Sequence, residues 1–504
     1  MYSATRAISS PMASTVCSRC LKKSIPSVDR FTQLSLTHRV NFATATPLHA
    51  AAKASGSKKV VGKPGSARAT KTLRLSKRSP NAPTSRPPAA GERKAIRKRI
   101  VLSNTNALEV RGLADLTEDK LVKHGTASAA LESFRGHVLG FSNGTVDALR
   151  ALEAFKPRQG WSLFKRPASL VRKETVLLAN DLASIETDHQ FKSKIIFGGK
   201  GTGKSVLLLQ AQAIALVKGW IVMHFPEGQE LINAQTAYQP INTEGGTIYI
   251  QPDYTAKLLL SLANANQAVL SRLQPSRQLQ LPIPIQPNIS LQRLAEMGGR
   301  DPTIAWPVWQ ALWSELTAIT SGERELQRPP ILISMDGVDQ VMRISAYLDA
   351  EARPIHAHDM ALVKHFTDHL SGRSQLPNGG MAIASTCASN RASSPTLEHC
   401  LNVSHAQQRS SEETDDLISL PSAAIPVFDP YMARDSRVDA AMIDVQALKL
   451  KGLSKQEARG VMEYYARSGI LRDAVTDGFV SEKWTMAGSG IIGELEKGSI
   501  RARY

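Results

Sequence analysis

Short apolar runs alternate with segments of helical length through the centre of the chain. The runs are Lys194–Phe197, Trp220–Phe225, Ile331–Asp336 and Met381–Thr386. A short, continuously apolar run is typical of a strand covered on both faces, as in a parallel sheet. The longer stretch Val206–Phe225 contains polar interruptions, so we interpret it as a buried helix and strand and expect no membrane span. The alternation predicts an α/β fold with a parallel sheet flanked by helices.

A clear helical pattern lies near the C-terminus, in the stretch "SKQEARGVMEYYARSG". Ser454 can cap the first turn, and Glu457, three residues later, can reach back to it. Apolar side chains then recur at helical spacing until Gly469, and they are Ala458, Val461, Met462 and Tyr465. Taken along the whole chain, the patterns predict a mostly helical region over 96–185, a central domain over 186–400 and a mainly helical C-terminal domain over 401–504.

The charge of the chain is concentrated at its N-terminus. Residues 1–100 contain 21 Lys and Arg but only two acids, Asp29 and Glu92, whereas the whole chain of 504 residues carries a net charge of +18. A basic arm of this kind is a targeting peptide, a polyanion-binding tail, or both. The Ser, Thr, Ala and spaced bases of residues 1–50 favour a mitochondrial presequence, and hence the matrix, over a plain tail. Residues 51–95 are predicted to be a disordered basic linker.

Candidate metal ligands outside the central domain are weak. Cys17 and Cys20 form a lone C-x-x-C with no second pair to complete a zinc site, and four cysteines in all exclude a disulfide-built fold. His365 and His369 are helical neighbours without the glutamate of a zinc protease motif. We therefore expect a solvated or capping role for these histidines, and for the lone His356 and His358, rather than metal binding.

The stretch "GGKGTGKS" follows one predicted strand and precedes a predicted helix over about 205–218. Its spacing is that of a P-loop, in which glycines let successive backbone N–H groups surround phosphate and the helix adds its positive N-terminal end. The lysine supplies charge to the β- and γ-phosphates, and the serine hydroxyl is a ligand of Mg²⁺. The predicted nucleotide-binding residues are Gly198, Gly199, Lys200, Gly201, Thr202, Gly203, Lys204 and Ser205.

A second Mg²⁺ ligand is expected at the end of a nearby strand. Asp336 ends the run "ILISMD", so we predict that Asp336 and Ser205 hold the metal, Asp336 directly or through water. The position after Asp336, where AAA+-type ATPases usually place a catalytic glutamate, is Gly337. Asp339 is a weak candidate for the catalytic base, and slow or absent turnover is expected.

Two further features bear on the nucleotide without deciding its base. The run "MAIASTCASNR" could be a sensor strand, with Ser385 or Thr386 near the γ-phosphate and Arg391 beyond it. Polar residues at the end of an ordinary strand explain this run equally well. The chain has no N/T-K-x-D signature of Ras-like GTPases, so these residues do not discriminate GTP or GDP from ATP.

Several motifs occur together: the basic leader, "GGKGTGKS", "DGVD", "GWIVMHFPEGQELINAQTAY" and "GLSKQEARGVMEYYARSGIL". Over about residues 92–480 this ensemble resembles the mitochondrial small-subunit ribosomal proteins related to animal death-associated protein three, in their fungal form. The resemblance implies a P-loop NTPase fold of the AAA+/STAND kind in the head of the mitochondrial small ribosomal subunit. It also implies a bound guanine nucleotide, GTP or GDP, with Gly198–Ser205 on the phosphates and Asp336 on Mg²⁺.

Three functional hypotheses follow. The first is a structural, nucleotide-binding component of the mitochondrial ribosome, with small-subunit rRNA and neighbouring ribosomal proteins as partners. In that case the segment Arg93–Ile100 is expected to contact RNA or a ribosomal neighbour, because Lys and Arg bind phosphates without base readout. The second is a free AAA+-type ATPase or an apoptosis-linked nucleotide switch in the matrix. The third is an RNA-binding protein whose P-loop is vestigial.

Overall fold

A computed structural model describes residues 97, 99–121, 131–286, 288–319, 327–388, 392, 394–412 and 426–500. The predicted presequence and basic linker lie outside these residues, as do Cys17, Cys20, Arg391 and most of the segment Arg93–Ile100. The strands, numbered along the chain, are β1 (Val138–Gly140), β2 (Ala168–Leu170), β3 (Phe191–Gly198), β4 (Ile221–Phe225), β5 (Gln239–Thr243), β6 (Gly246–Ile250), β7 (Ile331–Asp336), β8 (Ile344–Leu348), β9 (Pro354–His356), β10 (Gly380–Ser385) and β11 (Gln446–Leu450).

The helices are numbered in the same way. They are α1 (Glu118–Leu121), α2 (Asn143–Ala151), α3 (Lys173–Asp188), α4 (Lys204–Val217), α5 (Pro252–Ala265), α6 (Gln267–Leu270), α7 (Leu291–Arg300), α8 (Pro302–Leu316), α9 (Val338–Val341), α10 (Ala361–Leu370), α11 (Pro395–Glu412), α12 (Ser436–Ala441), α13 (Lys455–Arg467), α14 (Asp477–Met486) and α15 (Ile492–Ser499). Short 3₁₀ turns cover Trp161–Leu163, Gly228–Leu231 and Ala357–Asp359.

The central sheet has five parallel strands in the order β11-β3-β10-β7-β4. All four strands expected from the apolar runs are present, which confirms the predicted α/β architecture. In the register of the sheet, Ser385 on β10 pairs with Ile196 on β3 and with Asp336 on β7. Because the strands are parallel, the loop after β3 and the carboxylate at the end of β7 open at the same edge of the sheet.

Helices cover both faces of this sheet. Ile331, Ile333 and Met335 pack into one apolar cluster with α5, α7, α8 and α10. Leu332, Val222 and other alternate residues pack into a second cluster with α2, α3 and α4. Each of these side chains is almost fully buried and stabilises the fold by about 1.5–3 kcal/mol. Burial on both faces explains why the strands are apolar without alternation.

The fifth strand, β11, comes from the part of the chain assigned in the sequence analysis to the C-terminal helical domain. The central sheet therefore takes one edge strand from beyond residue 400. Downstream of it, α13, α14 and α15 form a separate apolar cluster that also includes Leu170 on β2. Helix α13 has the predicted capping box between Ser454 and Glu457, and its predicted apolar stripe is buried.

Three small antiparallel pairs surround the central sheet, and they are β1 with β2, β5 with β6, and β8 with β9. None of the helices in the described ranges combines the length and the apolar composition needed to cross a bilayer.

Candidate nucleotide site

The loop after β3 turns sharply into α4. Three of its glycines have positive φ, with values of 148° at Gly198, 79° at Gly201 and 97° at Gly203. L-residues with side chains rarely adopt such values, so the glycines are required by the backbone path. At Gly198 a Cβ atom would also lie 2.4 Å from the carbonyl oxygen of Leu450 on β11. The loop therefore has a fixed, tightly wound shape between β3 and α4.

The lysine of the loop lies against the loop itself. Lys204 is buried, and its Nζ donates to the carbonyl oxygens of Gly198 at 2.9 Å and Gly199 at 2.8 Å. The Thr202 hydroxyl donates to the Gly199 oxygen at 3.0 Å. Ser205 follows in the first turn of α4 and is half-buried. A positive charge and a helix N-terminus thus meet where the loop closes.

The outside of the loop is held by distant parts of the chain. Arg172, at the start of α3, donates through Nη1 to the Thr202 oxygen and through Nη2 to the Lys451 oxygen, both at 2.9 Å. The backbone N–H of Gly493 in α15 donates to the Gly201 oxygen at 2.9 Å. Arg172 is buried, so its guanidinium ties the loop to the segment after β11. Neither contact was anticipated from the sequence, because no local pattern links residues so far apart.

Asp336 ends β7 and is buried. The Ser385 hydroxyl donates to Oδ1 in a short hydrogen bond, and Lys156 Nζ lies 3.1 Å from Oδ2. Burial alone would raise the pKa of Asp336, but the Lys156 charge and the Ser385 bond hold it below the usual value. The carboxylate is therefore charged and paired within the protein. Sequence reasoning singled out Asp336 as a Mg²⁺ ligand and Ser385 as a candidate sensor residue, but it predicted neither their hydrogen bond nor the contact with Lys156, which lies in an irregular segment 180 residues away.

Asp339 lies in the single turn of α9, close to the loop that follows β10. Its Oδ1 accepts from the Cys387 backbone N–H at 2.6 Å, and its Oδ2 accepts from the Ala392 N–H at 3.2 Å. Burial raises the pKa of this carboxyl group. Both oxygens thus hold the backbone beyond Thr386, whose own N–H donates to the Ile196 oxygen at 3.0 Å.

A cluster of charged side chains around Arg97 was missed in the sequence. Arg97 contacts Glu153 at 3.2 Å, Glu227 at 2.5 Å and Glu230 at a shorter distance. Lys257 contacts Glu153 at 3.2 Å and Glu230 at 3.3 Å. The carboxylates, Glu230 first, raise the pKa of Arg97 against the opposing effect of its burial. Arg97 was expected to contact RNA or a ribosomal neighbour with the rest of Arg93–Ile100, but it is buried in ion pairs within the protein.

Several histidines are buried or half-buried, and they are neutral. Burial lowers the pKa of His224, His358 and His365 to about 3. The solvated role expected for His365 and His369 is wrong, because neither side chain is exposed. A capping contact is present at His369, whose Nδ1 donates to the Ser374 carbonyl oxygen at 2.7 Å beyond the end of α10, and at His356, whose Nδ1 accepts from the His358 backbone N–H at 3.1 Å. The His365 ring packs edge-on against Trp309 and Trp313 of α8, because one face of α10 faces the core. Within the described part of the chain, no group of three or more His, Cys, Asp or Glu side chains could hold a metal ion.

The residues of the site fit the phosphates of a nucleotide better than they fit Mg²⁺. The loop Gly198–Ser205 has the wound glycine backbone, the lysine and the following helix that polyphosphate binding needs. The Mg²⁺ ligands are Ser205 and Asp336 in the sequence interpretation, and Asp336 already has a lysine as its counter-ion.

Comparisons with known proteins bear on the family. A model of the family described as mitochondrial ribosomal death-associated protein 3 matches residues 169–498. The chain is 41% identical over 460 residues to the small ribosomal subunit protein mS29 of Neurospora crassa, covering 91% of this chain and 92% of the relative. It is 24% identical over 300 residues to mS29 of Schizosaccharomyces pombe, covering 58% of this chain and 60% of the relative. These matches confirm the family recognised from the sequence, and with it the mitochondrial location: the chain belongs to the mitochondrial ribosomal death-associated protein 3 family.

Proposed function

We propose that this protein is a structural component of the mitochondrial small ribosomal subunit and that it holds a purine nucleotide, GTP or GDP, in a P-loop NTPase fold. The ribosomal part of the proposal follows from family membership and from two relatives that are both named small ribosomal subunit proteins. The nucleotide part is supported by the loop Gly198–Ser205. Guanine follows from the family resemblance, and adenine, as in ATP, remains the alternative base.

The geometry of Lys204 carries the nucleotide proposal. Its buried ammonium lies 2.8–2.9 Å from two carbonyl oxygens of the loop. Because the side chain is already ordered there, it loses little conformational entropy when an anion replaces those oxygens as its partner. The positive-φ glycines let N–H groups converge on the same space. The N-terminus of α4 adds a favourable potential for phosphate. These features support polyphosphate binding, and an ordinary turn requires none of them.

Ser205 and Asp336 would hold magnesium only in exchange for the Lys156 ammonium that now pairs with Asp336, and a bound magnesium would neutralise part of the charge of the β- and γ-phosphates. Ser385 orients Asp336 through its short hydrogen bond. The position after Asp336 is Gly337, and both oxygens of Asp339 accept backbone N–H groups. The proposed nucleotide is therefore turned over slowly or not at all, and it stabilises the fold around the loop.

The proposed partners are small-subunit rRNA and neighbouring ribosomal proteins. The chain carries a net charge of +18, and 21 of its Lys and Arg residues lie in residues 1–100. Contacts between such basic side chains and rRNA phosphates release counterions and need no recognition of nucleobases. Arg97 is excluded from this role by its ion pairs with Glu153 and Glu230.

The first experiment tests the nucleotide. Protein purified without added nucleotide is denatured, and the released nucleotides are identified by chromatography and mass spectrometry. We expect GDP or GTP from the wild type, none from Lys204→Ala, and unchanged content from Lys364→Ala. Lys364 is the control because its side chain is exposed and it lies on α10, outside the loop Gly198–Ser205. Nucleotide retained by Lys204→Ala would refute the site.

The second experiment tests the ribosomal assignment. A matrix extract is separated on a sucrose gradient, and the chain is followed together with small-subunit rRNA. Co-migration with the small subunit is expected. A chain that stays at the top of the gradient and hydrolyses nucleotide would instead indicate a free ATPase or switch.

A further inference from the structure

The ion pair between Lys156 and Asp336 occupies the carboxylate that the nucleotide site would offer to magnesium. Lys156 Nζ lies 3.1 Å from Asp336 Oδ2, and the side chains are 20% and 11% exposed. The other carboxylate oxygen, Oδ1, accepts from Ser385. Both oxygens of Asp336 are therefore engaged, one by a neutral hydroxyl and one by a cation that belongs to the chain.

Lys156 is held in place and does not simply reach in from solvent. Its ammonium also donates to the Pro226 carbonyl in a short hydrogen bond. Its backbone N–H donates to Gln159 Oε1 at 2.7 Å, and the same amide oxygen accepts from Trp161 Nε1 at 2.7 Å. The preceding residue, Phe155, is buried and packs edge-on against Trp161. The segment that carries Lys156 is thus anchored on both sides.

A lysine ammonium and a divalent cation are alternatives at one carboxylate. Both need its lone pairs, and they repel each other strongly when little water separates them. Arg97, a second cation near His224, is already paired with Glu153, Glu227 and Glu230. Lys156 is consequently the charge that balances Asp336.

We propose that Lys156 is the resident cation of Asp336, that it competes with Mg²⁺ for this carboxylate, and that nucleotide binding by the loop consequently depends only weakly on Mg²⁺. This inference rests on the nucleotide site proposed above. It assigns to Lys156 a role that is opposite to that of Lys204: Lys204 attracts the phosphates, whereas Lys156 replaces the metal.

The test compares the affinity for mant-GDP, a fluorescent guanine nucleotide, in excess Mg²⁺ and in EDTA. For the wild type we expect a change of no more than about threefold. For Lys156→Met we expect affinity to become dependent on Mg²⁺ by at least about tenfold. Lys257→Met is the matched control, because Lys257 is equally exposed at 20% and pairs with Glu153 and Glu230 but not with Asp336. It should behave as the wild type does.

A wild type whose affinity falls at least about tenfold in EDTA would overturn the inference, and so would a Lys156→Met protein with no greater Mg²⁺ dependence. Asp336→Asn provides a second variant that does not depend on the folding of Lys156→Met. If Lys156 is the resident cation, this substitution leaves the small Mg²⁺ dependence of the wild type unchanged. A wild type that depends strongly on Mg²⁺, together with an Asp336→Asn protein that does not, would show that Mg²⁺ and not Lys156 is the partner of Asp336.

A separate measurement distinguishes failure of this inference from failure of the nucleotide proposal. Mn²⁺ binding to nucleotide-free protein is followed by electron paramagnetic resonance. Lys156→Met should bind Mn²⁺ at least about tenfold more tightly than the wild type, and the Lys156→Met/Asp336→Asn double variant should lose this gain. If no variant binds mant-GDP, the nucleotide proposal fails while the Mn²⁺ result still decides the role of Lys156. Equal Mn²⁺ binding in wild type and Lys156→Met would overturn it.

Discussion

Gly198 offers a quantitative test of how tightly the loop is built. It has a φ of 148°, and an added Cβ would lie 2.4 Å from the Leu450 carbonyl oxygen. We expect Gly198→Ala to cost about 1–3 kcal/mol for the backbone conformation. The displacement of a rigid backbone atom on β11 adds about 1–3 kcal/mol. The free energy of unfolding should therefore fall by about 2–6 kcal/mol in all.

The matched control is Gly219→Ala. Gly219 ends α4 with a φ of 75°, but nothing lies within 4 Å of its added Cβ. This variant should show the backbone cost alone, about 1–3 kcal/mol. Urea denaturation of both variants and the wild type, followed by circular dichroism, gives the difference. Equal losses in Gly198→Ala and Gly219→Ala would refute the argument that β11 confines the loop.

Three further predictions concern the surroundings of the loop. Arg172→Met removes two charged hydrogen bonds to backbone oxygens and should lower the free energy of unfolding by about 1.5–3 kcal/mol in urea denaturation; an unchanged midpoint would contradict the role given to Arg172. Arg97→Met leaves buried carboxylates without their main partner and should cost about 3–5 kcal/mol in the same assay, and a loss below about 1 kcal/mol would show that the cluster is not stabilising. Acid should weaken the fold, because the folded state keeps neutral the histidines whose pKa is lowered to about 3, whereas the unfolded state protonates them from pH 6.5 downwards. Stability is then complete above pH 6.5 and falls by up to about 1.4 kcal/mol per histidine and pH unit below it; urea midpoints that stay constant from pH 7 to pH 5 would contradict this prediction.

Local patterns predicted the elements that local physics determines. The apolar run ending at Asp336 became the fully buried strand β7 with the same limits. The expected helix after the loop runs over Lys204–Val217, and Gly219 has the positive φ of a helix end. Ser454 and Glu457 form the capping box that their spacing indicated. Each of these features depends on residues within a few positions of one another.

Long-range partners were the part that could not be predicted. Lys156 meets Asp336 across 180 residues of sequence, and Arg172 meets Lys451 across 279. Neither lysine nor arginine in an irregular segment carries a signal that selects one distant partner. The error at His365 has a related cause, because its partners Trp309 and Trp313 belong to another helix. The assignment of nucleotide and metal to the loop stays a prediction until nucleotide is measured.

The order of elements in the central sheet has a consequence for folding during synthesis. Strand β11 and helix α15 come from the last sixty residues of the chain, yet they flank the loop that begins at Gly198. A growing chain folds from its N-terminus, so strand β3 keeps an unpaired edge until β11 has been synthesised. The loop therefore acquires its neighbours on β11 and α15 only after residues 446–499 have been made.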